Sequence, residues 1–282
     1  MVASSKKTSV ITGATDGIGL ETAYGLAKNG DRVVLISRDK KKCELVCRSI
    51  KKDTGNDMIS YYVADLSSVM QTKALCKRIR SDIQTIDVLV NNVGAVFMTR
   101  SVNSEGIERT FALNHLSYFT MANELIDNLK MSGAARVINV SSGMHFKGEI
   151  DFNNLQLESG YKGLQAYSNS KLMNVLFSKK LSRIYAGEGL VSNALHPGFV
   201  ATKFGHNHNI FFRLVMMFAQ SLRAISPRAG AKTTLFLSTD EKVSSASGDY
   251  YYLSRPMDSH SLSYDHATQD RLWDISAEVV YG

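Results

Sequence analysis

Short apolar runs rich in β-branched residues alternate along this chain with longer segments of helical periodicity. In the longer segments, such as 18–29 and 164–185, apolar positions recur about every 3.6 residues, which is typical of amphipathic helices. The runs predicted to form strands are 9–12, 32–36, 59–63, 86–90, 136–140, 191–195 and 249–253. Apolar strands separated by helices build βαβ units and a parallel sheet that is covered on both faces. The pattern therefore predicts an α/β fold with a doubly wound parallel sheet.

The composition favours one domain over the whole chain. The chain has 282 residues, of which 44% are hydrophobic, and three prolines, and no stretch resembles a linker. A sheet of this size commonly forms one unit, so we predict a single domain over residues 1–282. The three cysteines, an odd and sparse number, favour a reducing compartment over a disulfide framework. Neither a signal-like segment nor an apolar run long enough to span a bilayer is visible, which predicts a cytoplasmic protein.

The formal net charge of +7 raises the question of an acidic partner. The basic clusters at 40–42, 51–52 and 77–80 fall on separate amphipathic segments, which favours solvated helix faces over a nucleic-acid surface. We therefore expect no nucleic-acid partner. The histidines lack the paired spacing that is typical of a metal site, and we expect no bound metal.

A glycine-rich turn follows the first predicted strand and opens the first helix. Gly13 permits a tight turn, whereas Gly17 and Gly19 leave room for a phosphate to approach the backbone closely. The unpaired N–H groups and the partial positive charge of the helix N-terminus favour an anion there. At this position in a βαβ unit, the turn predicts dinucleotide binding rather than a structural turn alone.

The residues after the second predicted strand bear on the choice of dinucleotide. NAD-binding sites carry a carboxylate at this point for the ribose hydroxyls. This chain has Ser37 and Arg38 instead, followed shortly by three lysines. Ser37 tolerates a 2′-phosphate and Arg38 can bind it through charge-assisted hydrogen bonds, which predicts NADP as the cofactor. In the alternative, Arg38 stacks on the adenine while Asp39 binds the ribose.

Two Tyr-x-x-x-Lys pairs lie on predicted helices, where residues four apart share one face. Tyr24 and Lys28 lie within the first helix, beyond the glycine turn. Tyr167 and Lys171 instead follow a strand that ends in two serines, at the sheet edge where ligands of such folds bind. This position favours the second pair as the catalytic one.

Taken in order, these motifs resemble the short-chain dehydrogenase/reductase family. The resemblance rests on Thr-Gly-x-x-x-Gly-x-Gly at 12–19, Asn-Asn-Val-Gly at 91–94, Tyr-x-x-x-Lys at 167–171 and Pro-Gly at 197–198. It extends over nearly the whole chain and implies a Rossmann-type fold with NADP(H)-dependent interconversion of an alcohol and a carbonyl. Val93 stands where the family has alanine, a departure that concerns local packing.

The resemblance also implies roles for single residues. Tyr167 would be the general acid and base, and Ser142 would hydrogen-bond the substrate oxygen. Lys171 would hold the nicotinamide ribose, and its charge, with that of oxidised nicotinamide, is expected to lower the pKa of Tyr167. Asn114 would position a water beside Lys171, while Ser141 is expected to be structural. The implied cofactor contacts are Gly13, Thr15, Asp16, Gly17, Ile18, Gly19, Ser37, Arg38, Asp65, Leu66, Asn92, Val93, Gly94, Tyr167, Lys171, Pro197, Gly198, Val200 and Thr202.

The segment 145–163 is longer than in many family members and resembles the retinol dehydrogenase-like branch. This likeness implies a small lipophilic alcohol, aldehyde or ketone as the substrate. Residues 199–226 are predicted as a substrate lid, with a buried core helix or docking on a membrane surface as alternatives. The predicted pocket residues are Met144, Phe146, Phe199 and Phe204.

Two further questions stay open at the level of sequence. A homodimer is compatible with the pattern, and so is a non-catalytic NADPH sensor or scaffold on the same fold. The complete set of Asn114, Ser142, Tyr167 and Lys171 favours an enzyme, because a sensor does not need groups that move a proton.

Overall fold

The computed structural model describes residues 6–198 and 225–282, whose strands share one eight-stranded sheet. In chain order the strands are β1 (Thr8–Thr12), β2 (Arg32–Ser37), β3 (Ile59–Val63), β4 (Val88–Asn91), β5 (Ala135–Val140), β6 (Leu190–Leu195), β7 (Tyr250–Tyr252) and β8 (Arg255–Met257). They lie in the order β3-β2-β1-β4-β5-β6-β7-β8. Strands β1 to β7 pair in parallel, and β8 pairs antiparallel with β7. The predicted doubly wound, Rossmann-type sheet is confirmed.

Helices lie on both faces of this sheet. They are α1 (Gly17–Lys28), α2 (Lys40–Thr54), α3 (Val69–Asp82), α4 (Arg109–Phe111), α5 (Ser117–Glu124), α6 (Ile126–Lys130), α7 (Gly163–Ile184), α8 (Pro227–Thr239) and α9 (His266–Tyr281). One buried cluster packs α3, α5, α7 and α9 on one face, and a second packs α1, α2 and α8 on the other. This two-sided cover explains why residues 33–36 of β2 and 88–90 of β4 form continuous buried apolar runs instead of alternating.

Shorter helical turns occur between these elements. A π-helical turn, Ala112–Leu116, joins α4 to α5, and 3-10 helices span Gly143–Lys147, Glu241–Val243 and Ser261–Tyr264. Several helices begin where a side-chain oxygen accepts a hydrogen bond from a first-turn N–H group. The residues that cap α1, α2, α3, α8 and α9 in this way are Asp16, Asp39, Ser68, Ser226 and Asp265.

The order of the strands reverses at β1, which lies between β2 and β4. At such a reversal the loops after neighbouring strands diverge, and a crevice opens beyond their carboxyl ends. The residues that follow β1, β4 and β5 therefore meet at one edge of the sheet. The glycine turn, the Asn-Asn-Val-Gly motif and the serine pair lie in these loops, and the Tyr-x-x-x-Lys pair lies near the start of α7. The other predicted contacts follow β2, β3 and β6, and Asn114 lies on the π-helical turn.

The predicted lid over 199–226 falls outside the described residues, apart from its last two positions. Four predicted site residues lie there as well: Phe199, Val200, Thr202 and Phe204. The described chain resumes at Ile225, and Ser226 accepts a hydrogen bond from the Ala229 N–H at 3.2 Å to begin α8.

Candidate active site

The glycine turn after β1 is tied to the end of β4 by side-chain hydrogen bonds. The Thr12 hydroxyl accepts hydrogen bonds from the N–H groups of Asn92 at 2.8 Å and Val93 at 3.1 Å. The Asn92 side-chain amide in turn donates to the Thr12 carbonyl at 2.9 Å. Because Thr12 is fully buried, these bonds fix the two loops against each other. Asn92 and Val93, predicted as cofactor contacts, thus also hold the crevice in shape.

Gly13, Gly17 and Gly19 shape the turn through their lack of side chains. Gly13 and Gly17 have φ angles of 66° and 54°, in the left-handed region that glycine adopts readily. A Cβ atom on Gly19 would lie 2.4 Å from the Gly13 carbonyl oxygen and 2.5 Å from the Asn92 Nδ2. The start of α1 therefore touches the turn itself, and its first turn carries no acidic residue. Thr15 and Ile18, the other predicted contacts here, are buried.

The side chains after β2 bear on the recognition of a 2′-phosphate. The Ser37 hydroxyl lies 3.0 Å from the Thr15 hydroxyl, which joins the end of β2 to the glycine turn. Arg38 is exposed and forms no ion pair with any other described residue. Asp39 caps α2 and accepts a hydrogen bond from the Lys42 N–H at 3.1 Å. Asp39 thus caps α2 through one carboxylate oxygen, and Arg38 is the cation directly after β2.

Asp16 and Asp65, two acidic residues predicted to contact the cofactor, are each held by bonds to neighbouring residues. Asp16 caps α1 and forms an ion pair with the Lys42 Nζ at 2.8 Å. This pair offsets the negative charge of Asp16 beside the glycine turn. Asp65 accepts hydrogen bonds from the Ser67 N–H at 3.0 Å and hydroxyl at 2.8 Å. Leu66, between them, is buried. The turn after β3 is therefore ordered by the same carboxylate that is expected to face the adenine.

The π-helical turn Ala112–Leu116 carries Asn114, and such turns are frequent at functional sites. Asn114 is fully buried, and its amide pairs with the backbone of Ala95, accepting from the N–H and donating to the carbonyl at 2.9 Å each. Its Nδ2 also donates to the Ser170 hydroxyl at 3.0 Å, which donates to the Tyr167 carbonyl at 2.7 Å. Asn114 thereby links the loop after β4 to α7.

The two serines after β5 have different partners. Ser141 is buried, and its hydroxyl donates to the Lys171 carbonyl at 2.7 Å, so it joins the strand end to α7. Ser142 caps the following 3-10 helix and accepts a hydrogen bond from the Met144 N–H at 3.2 Å. The Ser142 side chain also forms a hydrogen bond with Tyr167. Ser142 and Tyr167 are thus in direct contact, whereas Ser141 contacts the backbone of α7.

Lys171 is buried beneath this pair. Its Nζ donates to the Val140 carbonyl at 2.9 Å, and the same carbonyl accepts a hydrogen bond from the Tyr118 hydroxyl at 3.2 Å. A Cβ atom on Gly94 would lie 3.3 Å from both the Lys171 Nζ and the Asn114 Oδ1. The backbone at Gly94 therefore covers both side chains closely. Burial lowers the pKa of Lys171 to about 7.

Tyr167 lies on the same face of α7, with its ring centre 5.7 Å from the Lys171 Nζ. Burial raises the pKa of Tyr167 to about 12, and the hydrogen bond with Ser142 offsets this only in part. The predicted lowering of this pKa involves the charge of oxidised nicotinamide as well as that of Lys171, and in the protein by itself the pKa is raised instead. The reason is that the Lys171 ammonium is directed at the Val140 carbonyl, and that burial disfavours the charged forms of both side chains.

A group of rings around Ser142 is not indicated by any of the sequence motifs. His196 stacks on Tyr252 with ring centroids 4.0 Å apart, and His145 contacts Tyr250 at 4.5 Å. The alternation of side chains along β7 indicates that Tyr250 and Tyr252 share a face of the sheet. No local signal says that this face meets the loop after β5, because the contact joins residues distant in sequence.

The remaining described residues of the predicted site lie around the same loop. Met144 is partly buried and Phe146 is 46% exposed, both on the 3-10 helix that follows Ser142. Pro197 and Gly198 follow β6, and Gly198 has a φ angle of 87° that favours glycine.

Within 6–198 and 225–282, no helix is long and apolar enough to cross a membrane. Over the same ranges, no group of three or more His, Cys, Asp or Glu side chains is arranged to hold a metal ion.

Known proteins resemble this chain over most of its length. A family model described as short chain dehydrogenase matches residues 7–210. Retinol dehydrogenase 12 of Mus musculus is 35% identical over 274 residues, which is 97% of this chain and 86% of that protein. Human retinol dehydrogenase 13 is 34% identical over 279 residues, and human polyprenol dehydrogenase is 32% identical over 279 residues, each spanning 97% of this chain and 84% of the relative.

Solved structures share the fold. An uncharacterised protein from Mycobacterium paratuberculosis superposes with a TM-score of 0.78 at 26% identity, covering 97% of this chain and 93% of that one. L-Sorbose reductase from Gluconobacter frateurii, solved with NADPH and L-sorbose, has a TM-score of 0.71 at 23% identity, covering 92% and 97%. With the family model, the relatives and the fold in agreement, the chain belongs to the short-chain dehydrogenase family of oxidoreductases, in which it resembles the retinol dehydrogenases.

Proposed function

We propose that the protein is an NADP(H)-dependent oxidoreductase that interconverts a lipophilic alcohol and its aldehyde or ketone on a single domain spanning residues 1–282. The observation that carries this proposal is the direct contact of Ser142 with Tyr167 above the buried Lys171, at the edge of the sheet where the glycine turn also lies. Retinoid-like and other long apolar carbonyls are the substrates that the resemblance to retinol dehydrogenases favours.

The residues of the crevice fit a dinucleotide phosphate. At Gly19 the start of α1 packs directly on the glycine turn, where a Cβ atom would collide with the Gly13 carbonyl oxygen and the Asn92 amide. Arg38 supplies a cation at the end of β2, where Ser37 stands in place of a carboxylate. A 2′-phosphate would therefore meet charge of the opposite sign, which favours NADP(H) over NAD(H). When bound, the nicotinamide supplies the hydride or accepts it.

Each of the four side chains Asn114, Ser142, Tyr167 and Lys171 then has a separate task. The Tyr167 hydroxyl donates a proton to the carbonyl oxygen in reduction and removes it from the alcohol in oxidation. The Ser142 hydroxyl hydrogen-bonds the same oxygen and stabilises the negative charge that develops on it. With the pKa of Tyr167 at about 12 in the protein by itself, the phenol is protonated at neutral pH, which is the form that donates a proton in reduction. The Lys171 ammonium holds the ribose, and Asn114 orders the loop at Ala95.

Apolar side chains near this pair favour a lipophilic substrate. Met144 and Phe146 follow Ser142 directly, and Phe146 presents almost half of its surface to solvent. Exposed aromatic surface beside a polar reacting pair is typical of a pocket that binds an apolar body and one polar atom. Phe199 and Phe204, outside the described residues, belong to the proposed lid.

The test is the decrease of NADPH absorbance with aldehydes graded from short to long, including a retinoid aldehyde. We expect turnover that becomes more efficient as the apolar chain lengthens, with NADH a poor substitute. Absence of turnover on every aldehyde, with NADPH bound tightly, would favour the sensor or scaffold instead.

A further inference from the structure

The backbone carbonyl of Ser142 is the meeting point of three hydrogen-bond donors. The His145 N–H donates to it at 3.0 Å, the His145 Nδ1 lies 2.8 Å from it, and the Tyr250 hydroxyl donates to it at 3.4 Å. Both side chains are withdrawn from water, with exposed fractions of 0% for His145 and 1% for Tyr250. Two buried rings thus each place a polar group against the backbone carbonyl of Ser142, whose hydroxyl forms a hydrogen bond with the Tyr167 side chain.

The protonation state of His145 follows from its other partner. Its Nε2 lies 3.2 Å from the backbone N–H of His260, which can only donate. Nε2 is therefore the bare nitrogen, so Nδ1 carries the hydrogen and donates it to the Ser142 carbonyl. The Tyr250 hydroxyl lies 3.1 Å from the same Nδ1. Burial lowers the pKa of His145 to about 4, which keeps the ring neutral at physiological pH.

We propose that His145 and Tyr250 are positioning residues that hold the Ser142 backbone so that its hydroxyl faces Tyr167. The inference rests on the proposed function, in which Ser142 binds the substrate oxygen. Ser142 needs such support because the sheet ends before it: the Ser141 N–H still bonds to the Leu195 carbonyl at 2.7 Å, and the chain then turns into a 3-10 helix.

This support comes from the C-terminal part of the chain. Tyr250 lies on β7 and His260 follows β8, so the strands after the proposed lid brace the loop after β5. Reactions of this kind depend on the placement of hydrogen-bonding groups to within a fraction of an ångström. A shift of the Ser142 backbone should therefore lower the rate of the chemical step while the affinity for NADPH stays unchanged.

The His145 ring also packs against Phe146 and Tyr250. The test must therefore distinguish a role of His145 in packing from a role in positioning Ser142. His145→Leu keeps an apolar filling and removes the donor, whereas His145→Asn places an amide N–H near the position of Nδ1. We expect His145→Leu to lower kcat by about 10-fold or more, the scale of a disturbed oxyanion contact, with the Kd for NADPH within about twofold of the parent. His145→Asn should recover most of the loss.

The decisive experiment is a double-mutant cycle with Ser142→Ala, measured on the full chain with saturating NADPH and one aldehyde. If His145 acts through Ser142, His145→Leu should change kcat by less than about twofold in the Ser142→Ala background. Losses that multiply would overturn the inference while leaving the proposed function intact. Wild-type kcat in Ser142→Ala would instead count against the proposed function.

Tyr250→Phe tests the same inference if His145→Leu does not fold, because it deletes one oxygen and keeps the ring. Its matched control is Tyr251→Phe, whose hydroxyl lies on the neighbouring residue and bonds to Asp249 at 3.5 Å. We expect a several-fold loss of kcat for Tyr250→Phe, absent in the Ser142→Ala background, and none for Tyr251→Phe. Equal kcat in the two variants would overturn the role of Tyr250.

Discussion

The two ends of the site are built in opposite ways. At the glycine turn, the surface proposed to bind the diphosphate is backbone, and its shape depends on the missing side chains of Gly13, Gly17 and Gly19. At the start of α7, the groups proposed to act are side chains, with Lys171 2% exposed and Tyr167 partly buried. Substitutions at the first end should act on affinity through shape and charge, and substitutions at the second on proton transfer and its dependence on pH.

The largest expected effect on binding lies at Gly19. Gly19→Ala would place a Cβ 2.4 Å from the Gly13 carbonyl oxygen, so the backbone of the turn must move. We expect the Kd for NADPH, measured by fluorescence titration, to rise at least about 100-fold, or about 2.8 kcal/mol. Gly143→Ala is the control, since a Cβ there meets its nearest neighbour at an ordinary 3.8 Å. Tight NADPH binding by Gly19→Ala would mean that the turn does not hold the diphosphate.

The next largest effect is expected at Arg38, which directly follows β2. Arg38→Ala should weaken NADPH binding by about 1.5–3 kcal/mol, the range for a hydrogen bond to a charged group, and barely change NADH binding. Lys40→Ala is a suitable control, because Lys40 is a neighbouring cation that lies 3.9 Å from Glu44 on α2. Equal losses for the two cofactors would indicate stacking on the adenine instead of phosphate recognition.

At the start of α7, the burial of Lys171 should make the free energy of unfolding depend on pH. Its pKa is lowered from 10.5 to about 7, so between these values the unfolded chain binds more protons than the folded one. Stability should therefore rise with pH across this window, and the lowered pKa predicts about 2 kcal/mol between pH 7 and pH 9. Lys171→Met removes this contribution, and urea unfolding at both pH values measures the difference. Parallel pH curves for the two proteins would mean that Lys171 is not desolvated.

The smallest effect concerns the substrate. Phe146→Ser should raise KM several-fold for long apolar aldehydes and little for short ones, because it removes an apolar wall near Ser142. Thermal stability should change little, since the side chain is 46% exposed. Leu45→Ser, at a 59% exposed position on α2, serves as the control. If both variants leave KM for the long aldehydes unchanged, Phe146 does not contact the substrate.

The sequence predicts much of this arrangement because the relevant signals are local. Seven of the strands are visible as apolar runs, and their carboxyl ends locate the crevice. The strand β8 is not visible, since Arg255, Pro256 and Met257 show no apolar alternation and are exposed. Its pairing depends on β7 rather than on its own composition.

The unpredicted features depend on contacts between distant residues. The π-helical turn that carries Asn114 has no sequence signature. The bonds that join His145 to Tyr250 and His260 connect residues more than a hundred positions apart. The direction in which the pKa of Tyr167 shifts also depends on the burial of its ring, and a sequence motif does not indicate burial. The lid over 199–226 stays a prediction.

The central claim is that Tyr167 transfers the proton, and single-turnover kinetics test it most directly. Tyr167→Phe, with NADPH prebound and a saturating long aldehyde, should oxidise NADPH at least about 100-fold more slowly than the parent, with the Kd for NADPH unchanged. Tyr24→Phe removes the hydroxyl of the other Tyr-x-x-x-Lys pair, which donates to Asp53 at 2.9 Å, and should react at the parental rate. A rate for Tyr167→Phe within threefold of the parent would contradict the account, because another group would then supply the proton.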